Sequence, residues 1–352
     1  MNINNLDKNL SIVLKGKNKG RDILVVFDRV KRIYDYFFIE EDNLIEISKQ
    51  EKIELKNIFE GKFKHINFIK FSPEAMKESE KTLKILQNCS SKIKPIISDL
   101  PKEQRTEINT KLNNSRIWIL DEYLEKFAKN DKDYFLNCEA LYDTTNNIVA
   151  YTNNASSETL LHELLHLCST SNDKTMSGFN FFSNGVALNE YYTEHLVAET
   201  KSEYISPYIH YEIFNQWLEP LSKKLKTFYF QNDYFSAINE IANYYNIDFE
   251  QADDLLLKAD TLLSLTRSFD MFDDSYEMLE RREMISDLLE DIYVKASQYI
   301  ITKNLKDGIS KEDIKIMTNN HHFMIFPLAK ENINISISEL IEDLSNEYEM
   351  KN

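Results

Sequence analysis

Cysteine is the first scarcity. Three residues, Cys89, Cys138 and Cys168, are scattered over 352 positions with no CxxC pairing. That argues against a disulfide framework and reads as reduced thiols in a reducing compartment. Basic residues are also outnumbered: 42 Lys and Arg stand against 58 Asp and Glu, for a formal charge of −16. Such a balance argues against nucleic acid or an anionic membrane surface as the main partner, because both select for lysine and arginine. No apolar run approaches the roughly 18 residues of a membrane span. The opening MNINNLDKNLSIVLKGKNKG has no apolar h-region with a small-residue cleavage site. The expected location is therefore the cytoplasm by default, while non-classical export by a specialised route leaves no mark in a sequence and stays open. Glycine and proline, six each, are few; beside abundant Asn, Ile and Lys they fit an AT-rich coding bias and carry no mechanism. The length suits one large domain or two smaller ones with a real hydrophobic core, and nothing in it fixes an oligomeric state.

What is present has an order. DILVVF (22–27), YDYFFIE (34–40) and NLIEIS (43–48) are β-rich runs between charged connectors. Residues 1–62 are expected to form a mixed or β-rich N-terminal extension. INFIKF (66–71) reads as a strand, after which Ser72-Pro73-Glu74 opens a helix running to about Cys89. RIWIL (116–120) reads as a second buried strand with a helix from Asp121 to Lys129 behind it. CEALYDTTNNIVAYT (138–152) reads as a hairpin. Its IVAY arm is expected to be an edge strand able to hold an extended peptide by β-addition. Ser156 or Ser157 then caps a helix that contains LLHELLHL (160–167). A polar segment, 169–185, reads as a lid, and a helix follows over about 186–204. Beyond Pro207 apolar positions recur at helical spacing to the end. Strands, an embedded helix, then helices alone make an α+β protein, with a core over 63–210 and a helical subdomain over 211–352.

LLHELLHL poses the chemical question, because two histidines and a glutamate interrupt a leucine-rich helix. His162 and His166, four apart, share one helix face and present two imidazoles that one zinc ion can bridge. Glu163 lies about 100° further round, placed to reach a water on the metal and not to coordinate it. HExxH on a helix is the metalloprotease arrangement. A zinc site needs a third protein ligand, and LNEYYTEHL (188–196) offers Glu190 and Glu194, again four apart. One can complete the zinc sphere; the other can accept the free ring N–H of a ligand histidine.

HELLH followed by NEYYTE resembles the glutamate-zincins, the thermolysin-like branch of the zincin metallopeptidases. There HExxH is followed by N-E-x-x-[ST]-[DE], and Asn189, Glu190, Thr193 and Glu194 match those positions one for one. The resemblance spans roughly residues 65 to 205 and implies a zincin-like core with one Zn2+ per chain. It implies Glu190 as the third ligand after His162 and His166, Glu194 as the residue that orients a ligand histidine, and Glu163 as the general base. The implied activity is that of a zinc-dependent endopeptidase on a peptide or protein substrate. Related enzymes often carry a tyrosine a few residues before the glutamate ligand, but Phe181, Phe182 and Ser183 stand here. Candidates for stabilising the oxyanion are therefore Tyr191, Tyr192, His195, His210 and Tyr211.

Plainer readings compete at each point. The two histidines could be core residues paired with the two glutamates, at the cost of burying four polar groups for structure alone. A structural zinc prefers four Cys or His ligands and leaves Glu163 without use. Cys168 points to another side of the helix, His195 suits a solvated position equally well, and His321 with His322 lacks neighbouring ligands. The acidic runs 40–43 and 248–254 read as solvated faces or helix starts, and the aromatic clusters read as core. Two functional rivals remain: a secreted or injected toxin or effector protease with one specific protein target, and a non-catalytic zincin scaffold acting by protein–protein interaction. The intact Glu163 argues against the second.

Overall fold

The computed structural model describes residues 10–18, 21–28, 33–40, 43–48, 51–52, 70–71, 79–113, 115–128, 138–152, 154–181, 184–201, 204–266, 276–318 and 327–351. They are mixed α and β, mostly helical, with two small sheets. The chain divides into two compact units, 1–169 and 170–352, so HELLH belongs to the first and NEYYTE to the second.

The first unit opens with an antiparallel meander of β1 (Leu10–Asn18), β2 (Arg21–Asp28), β3 (Ile33–Glu40) and β4 (Asn43–Glu46). Three of these strands coincide with the expected runs. The first, LSIVLKGKN, did not stand out, because lysine, glycine and asparagine break its apolar alternation. Leu24, Val26, Phe37 and Leu44 form the meander's own core.

The second sheet packs against the helix that carries HELLH. Its order is β5 (Lys70–Phe71), β6 (Arg116–Ile119), β8 (Ile148–Tyr151), β7 (Ala140–Asp143). β6 is parallel to β5 and β8, whereas β7 is antiparallel to β8. The IVAY strand is thus central, with Ala150 beside Trp118 on one side and beside Leu141 on the other. This corrects the edge-strand expectation. The reason is visible in its composition: all four residues are apolar or aromatic and all are buried, the mark of a strand covered on both faces. β7 is the outer strand of the hairpin among the described residues. The hairpin's turn closes where Asp143 Oδ1 accepts from the Asn146 N–H at 3.0 Å and Asn147 takes φ 54°, a conformation asparagine tolerates well.

Helix α1 (Ser79–Ile96) runs past the expected end at Cys89; the proposed Ser72-Pro73 start lies outside the described residues. Helix α2 (Lys102–Asn113) has too few apolar positions to reveal itself by periodicity, with Ile108 as its fully buried anchor. Helix α3 (Leu120–Phe127) lays Leu120, Tyr123 and Leu124 on Trp118, Ile148 and Ala150. Helix α4 (Ser157–Ser169) packs against α1, α2, β7 and β8. Surrounded on so many sides, it is apolar nearly all round.

The second unit is helical: α5 (Val186–Ala198), α6 (Tyr211–Leu218), a 3₁₀ turn (Glu219–Leu221), α7 (Ser222–Gln231), α8 (Tyr234–Tyr245), α9 (Phe249–Thr266), α10 (Tyr276–Lys306), α11 (Lys311–Thr318) and α12 (Pro327–Lys351). Asp248 starts α9, its carbonyl receiving the N–H groups of Gln251 and Ala252, so that acidic run is a helix start. α5 packs on α6 and α9, and α10 on α6, α9 and α12. No helix among the described residues is long and apolar enough to cross a membrane.

Candidate metal centre

HELLH lies within one helix, α4. Ser156 caps α4, its Oγ accepting from the Thr159 N–H at 3.0 Å while its carbonyl receives the Leu160 N–H. Glu158 sits in the first turn, where a negative charge suits the helix dipole, and pairs with Lys92 at 3.3 Å. The capping fixes the helical phase, and the phase places the histidines. Leu160, Leu161, Leu164, Leu165, Leu167 and Cys168 are buried around the helix. His162 and His166, also buried at 6% and 7% exposure, bring their Nε2 atoms within 2.8 Å of each other. Burying two imidazoles nitrogen to nitrogen gains little in packing, since at most one shared proton can join them. Glu163 between them is half-buried. Cys138, on the run into β7, senses it: burial, then the Glu163 carboxylate, push the Cys138 thiol up to about 11. At neutral pH this thiol is therefore protonated.

NEYYTE lies on α5, in the second unit. Glu194 is buried and Glu190 half-buried. Each is held by a tyrosine beyond the end of the helix. The Tyr208 hydroxyl donates to Glu190 Oε2 at 2.8 Å, and the Tyr204 hydroxyl donates to Glu194 Oε2. Neither tyrosine stood out in the sequence. The expected helix over 186–204 would have carried Tyr204 about 15 Å along the axis from Glu194. α5 instead ends at Ala198 and the chain doubles back through Pro207. The available signal was this proline and the pair of tyrosines four residues apart around it.

Asn189 and Thr193, the other matched residues of NEYYTE, hold local structure. Asn189 Oδ1 accepts from the Phe179 N–H at 3.1 Å. The Thr193 hydroxyl contacts the Asn189 carbonyl at 2.8 Å and the Tyr229 hydroxyl at 2.7 Å. The segment read as a lid is accordingly tied down in its described part: Phe179 is fully buried, and Asn232 donates to the Gly178 carbonyl at 3.2 Å. Gly178 has φ +55°, and a Cβ there would stand 2.1 Å from Asn189 Oδ1 and 2.4 Å from the Tyr229 ring. Gly178→Ala is therefore expected to cost at least about 1–3 kcal/mol, seen as a lower midpoint in chemical unfolding. An unchanged midpoint would mean that this turn does not tie the segment to α5.

The five candidates for the oxyanion role occupy different environments. Tyr191 is fully buried against Tyr211, Phe214 and His195. Tyr192, also fully buried, donates to the Ser222 carbonyl at 2.5 Å. His195 meets Asn215 at 3.3 Å and Glu199 at 3.6 Å. His210 is fully buried with Nε2 at 3.0 Å from the Ala187 carbonyl. Burial pushes its imidazole down to about 4, so near neutral pH it is uncharged, with the proton on Nε2. Tyr211 is half-buried; burial, then the Glu194 and Glu199 carboxylates, push its phenol up to about 12. It thus stays a hydrogen-bond donor throughout the neutral range. His321 and His322 lie outside the described residues.

The imidazole nitrogens of His162 and His166 and a carboxylate oxygen of Glu190 are donor types that could hold a metal ion. No protein-family model, curated protein or solved structure matches the chain.

Proposed function

We propose that this chain is a zinc-dependent peptidase of the glutamate-zincin type, most simply an endopeptidase, with His162, His166 and Glu190 as metal ligands. The observation that carries the reading is the pair of buried imidazoles on α4 whose Nε2 atoms stand 2.8 Å apart. Two imidazole nitrogens set this close on one helix face would serve together as ligands of one metal ion. His162, His166 and Glu190 each offer one ligand atom, an imidazole nitrogen or a carboxylate oxygen, and this mixed N/O donor set suits zinc.

When bound, zinc acts as a Lewis acid and brings the pKa of a coordinated water near 7. Every other part of the chemistry belongs to side chains. Glu163 takes the proton of the attacking water on its carboxylate and returns it to the leaving amine nitrogen. Glu194, to which the Tyr204 hydroxyl donates, would accept the free N–H of a ligand imidazole and so set its tautomer. Tyr208 holds Oε2 of Glu190 and so would orient the carboxylate that offers an oxygen to the metal. Tyr208→Phe is accordingly expected to weaken zinc affinity about 10–100-fold in competition with a chromogenic chelator, with the fold intact by circular dichroism. Wild-type affinity in this variant would remove Tyr208 from the site.

The decisive experiment is metal content by mass spectrometry on zinc-supplemented protein, followed by cleavage of a peptide library. One zinc per chain with cleavage supports the reading. A zinc-free wild type sinks it.

A further inference from the structure

We infer that Asp260, on α9, is the N-terminal cap of α5 and thereby a positioning residue for Glu190. The inference rests on the proposed metal centre only for its consequence, since the capping itself is independent of any metal.

α5 begins in an unusual way. Its cap position is Gly185 at φ 73°, with no side chain of its own to satisfy the first free N–H groups. Those groups are met from 75 and 73 residues away: Gly185 N donates to Asp260 Oδ2 at 2.7 Å and Ala187 N to Asp260 Oδ1 at 2.6 Å. Both carboxylate oxygens are used, and the charge faces the positive end of the α5 dipole. A local cap is sterically closed. A Cβ at position 185 would stand 2.5 Å from the Phe179 carbonyl and 2.5 Å from the Tyr234 ring, so serine, threonine, aspartate or asparagine has no room there.

Two further contacts build the same clamp. Tyr234, which lies over Gly185, donates its hydroxyl to Asp253 Oδ1 at 2.9 Å. Asp253 and Asp260, seven apart on α9, lie on one face of that helix, so one face both seats Tyr234 and caps α5. From the other side His210 Nε2 reaches the Ala187 carbonyl at 3.0 Å. The first turn of α5 is thus held through its N–H groups by Asp260 and through a carbonyl by His210. Glu190 follows one turn later, so a shift in this turn carries over to its carboxylate. A metal site tolerates little such shift, because affinity depends on ligands being preset.

The test compares wild type with Asp260→Asn, which keeps the size and loses the charge and one acceptor. Hydrogen exchange is followed on the metal-free chain and zinc affinity by chelator competition. The expected result is roughly fivefold faster exchange in the first turns of α5, the equivalent of one lost cap. α10 should exchange as in wild type, and zinc affinity should fall about tenfold or more. Unchanged exchange in α5 overturns the capping, and faster exchange with wild-type zinc affinity overturns the positioning role. A wild type that binds no zinc, beside an Asp260→Asn chain with a loosened α5, overturns the metal centre and upholds the cap. Should Asp260→Asn fail to fold, Asp260→Glu carries the same comparison, keeping the charge and displacing the carboxylate by one methylene.

Discussion

Glu163→Gln is expected to leave zinc binding unchanged and to lower peptide turnover by at least about 10²–10⁴-fold, the range typical of a lost general acid–base group. The substitution preserves volume and hydrogen-bonding shape at a half-buried position on α4. It removes only the capacity to take a proton. Its neighbours His162 and His166 keep their imidazoles, with Nε2 atoms 2.8 Å apart, so their affinity for metal should survive. Turnover is read on a proteome-derived peptide library, with metal content measured on the same samples. Full activity in a zinc-loaded Glu163→Gln chain would remove Glu163 from the chemistry. It would also revive the non-catalytic scaffold as the better reading of any metal found. The library has a second use, since cleavage confined to one or a few sequences would favour a protease dedicated to a single protein target.

Glu190→Ala should have the other large effect, the loss of stoichiometric zinc. Two imidazoles alone leave a zinc ion short of the three protein ligands that catalytic sites use. The weakening should therefore exceed the roughly 10–100-fold seen when only an outer partner of a ligand is removed. Tyr208 would also lose the acceptor for its hydroxyl, a smaller penalty at a half-buried position. The measurement is zinc per chain after dialysis against a weak chelator, for wild type beside Glu190→Ala and Glu194→Ala. Glu190→Ala should be empty, and Glu194→Ala should be filled but weakened. The reverse ranking would exchange the roles of the two glutamates. Equal, full occupancy in all three would mean that the third ligand lies elsewhere.

Much of the HELLH helix could be read directly from residue order. Ser156 or Ser157 as cap, the leucines and the 162/166 spacing specify a capped, buried helix with two imidazoles on one face, and the structure selects Ser156. Each of those facts is local, set by 3.6 residues per turn. The strand IVAY was legible as a strand but misplaced at an edge. Its uniformly apolar composition is the sequence mark of a strand covered on both faces. Helix α2 was missed because one buried isoleucine in twelve residues gives no periodic pattern. Its helicity is supported by packing against α4, which propensity alone does not reveal.

NEYYTE divides differently. Glu190 and Glu194, four apart, were fixed on one face of a helix by spacing alone, as were Asn189 and Thr193 in their places beside them. What braces them was not. Tyr204 and Tyr208 reach the glutamates only because α5 stops at Ala198 and the chain turns back. Asp260 reaches the start of α5 from more than seventy residues away. Residue order determined which side chains share a helix face, because that follows from a repeat of a few residues. Tertiary structure decided which distant hydroxyls and carboxylates those side chains meet, because such contacts depend on where helices end and how they pack, and no short-range pattern encodes either.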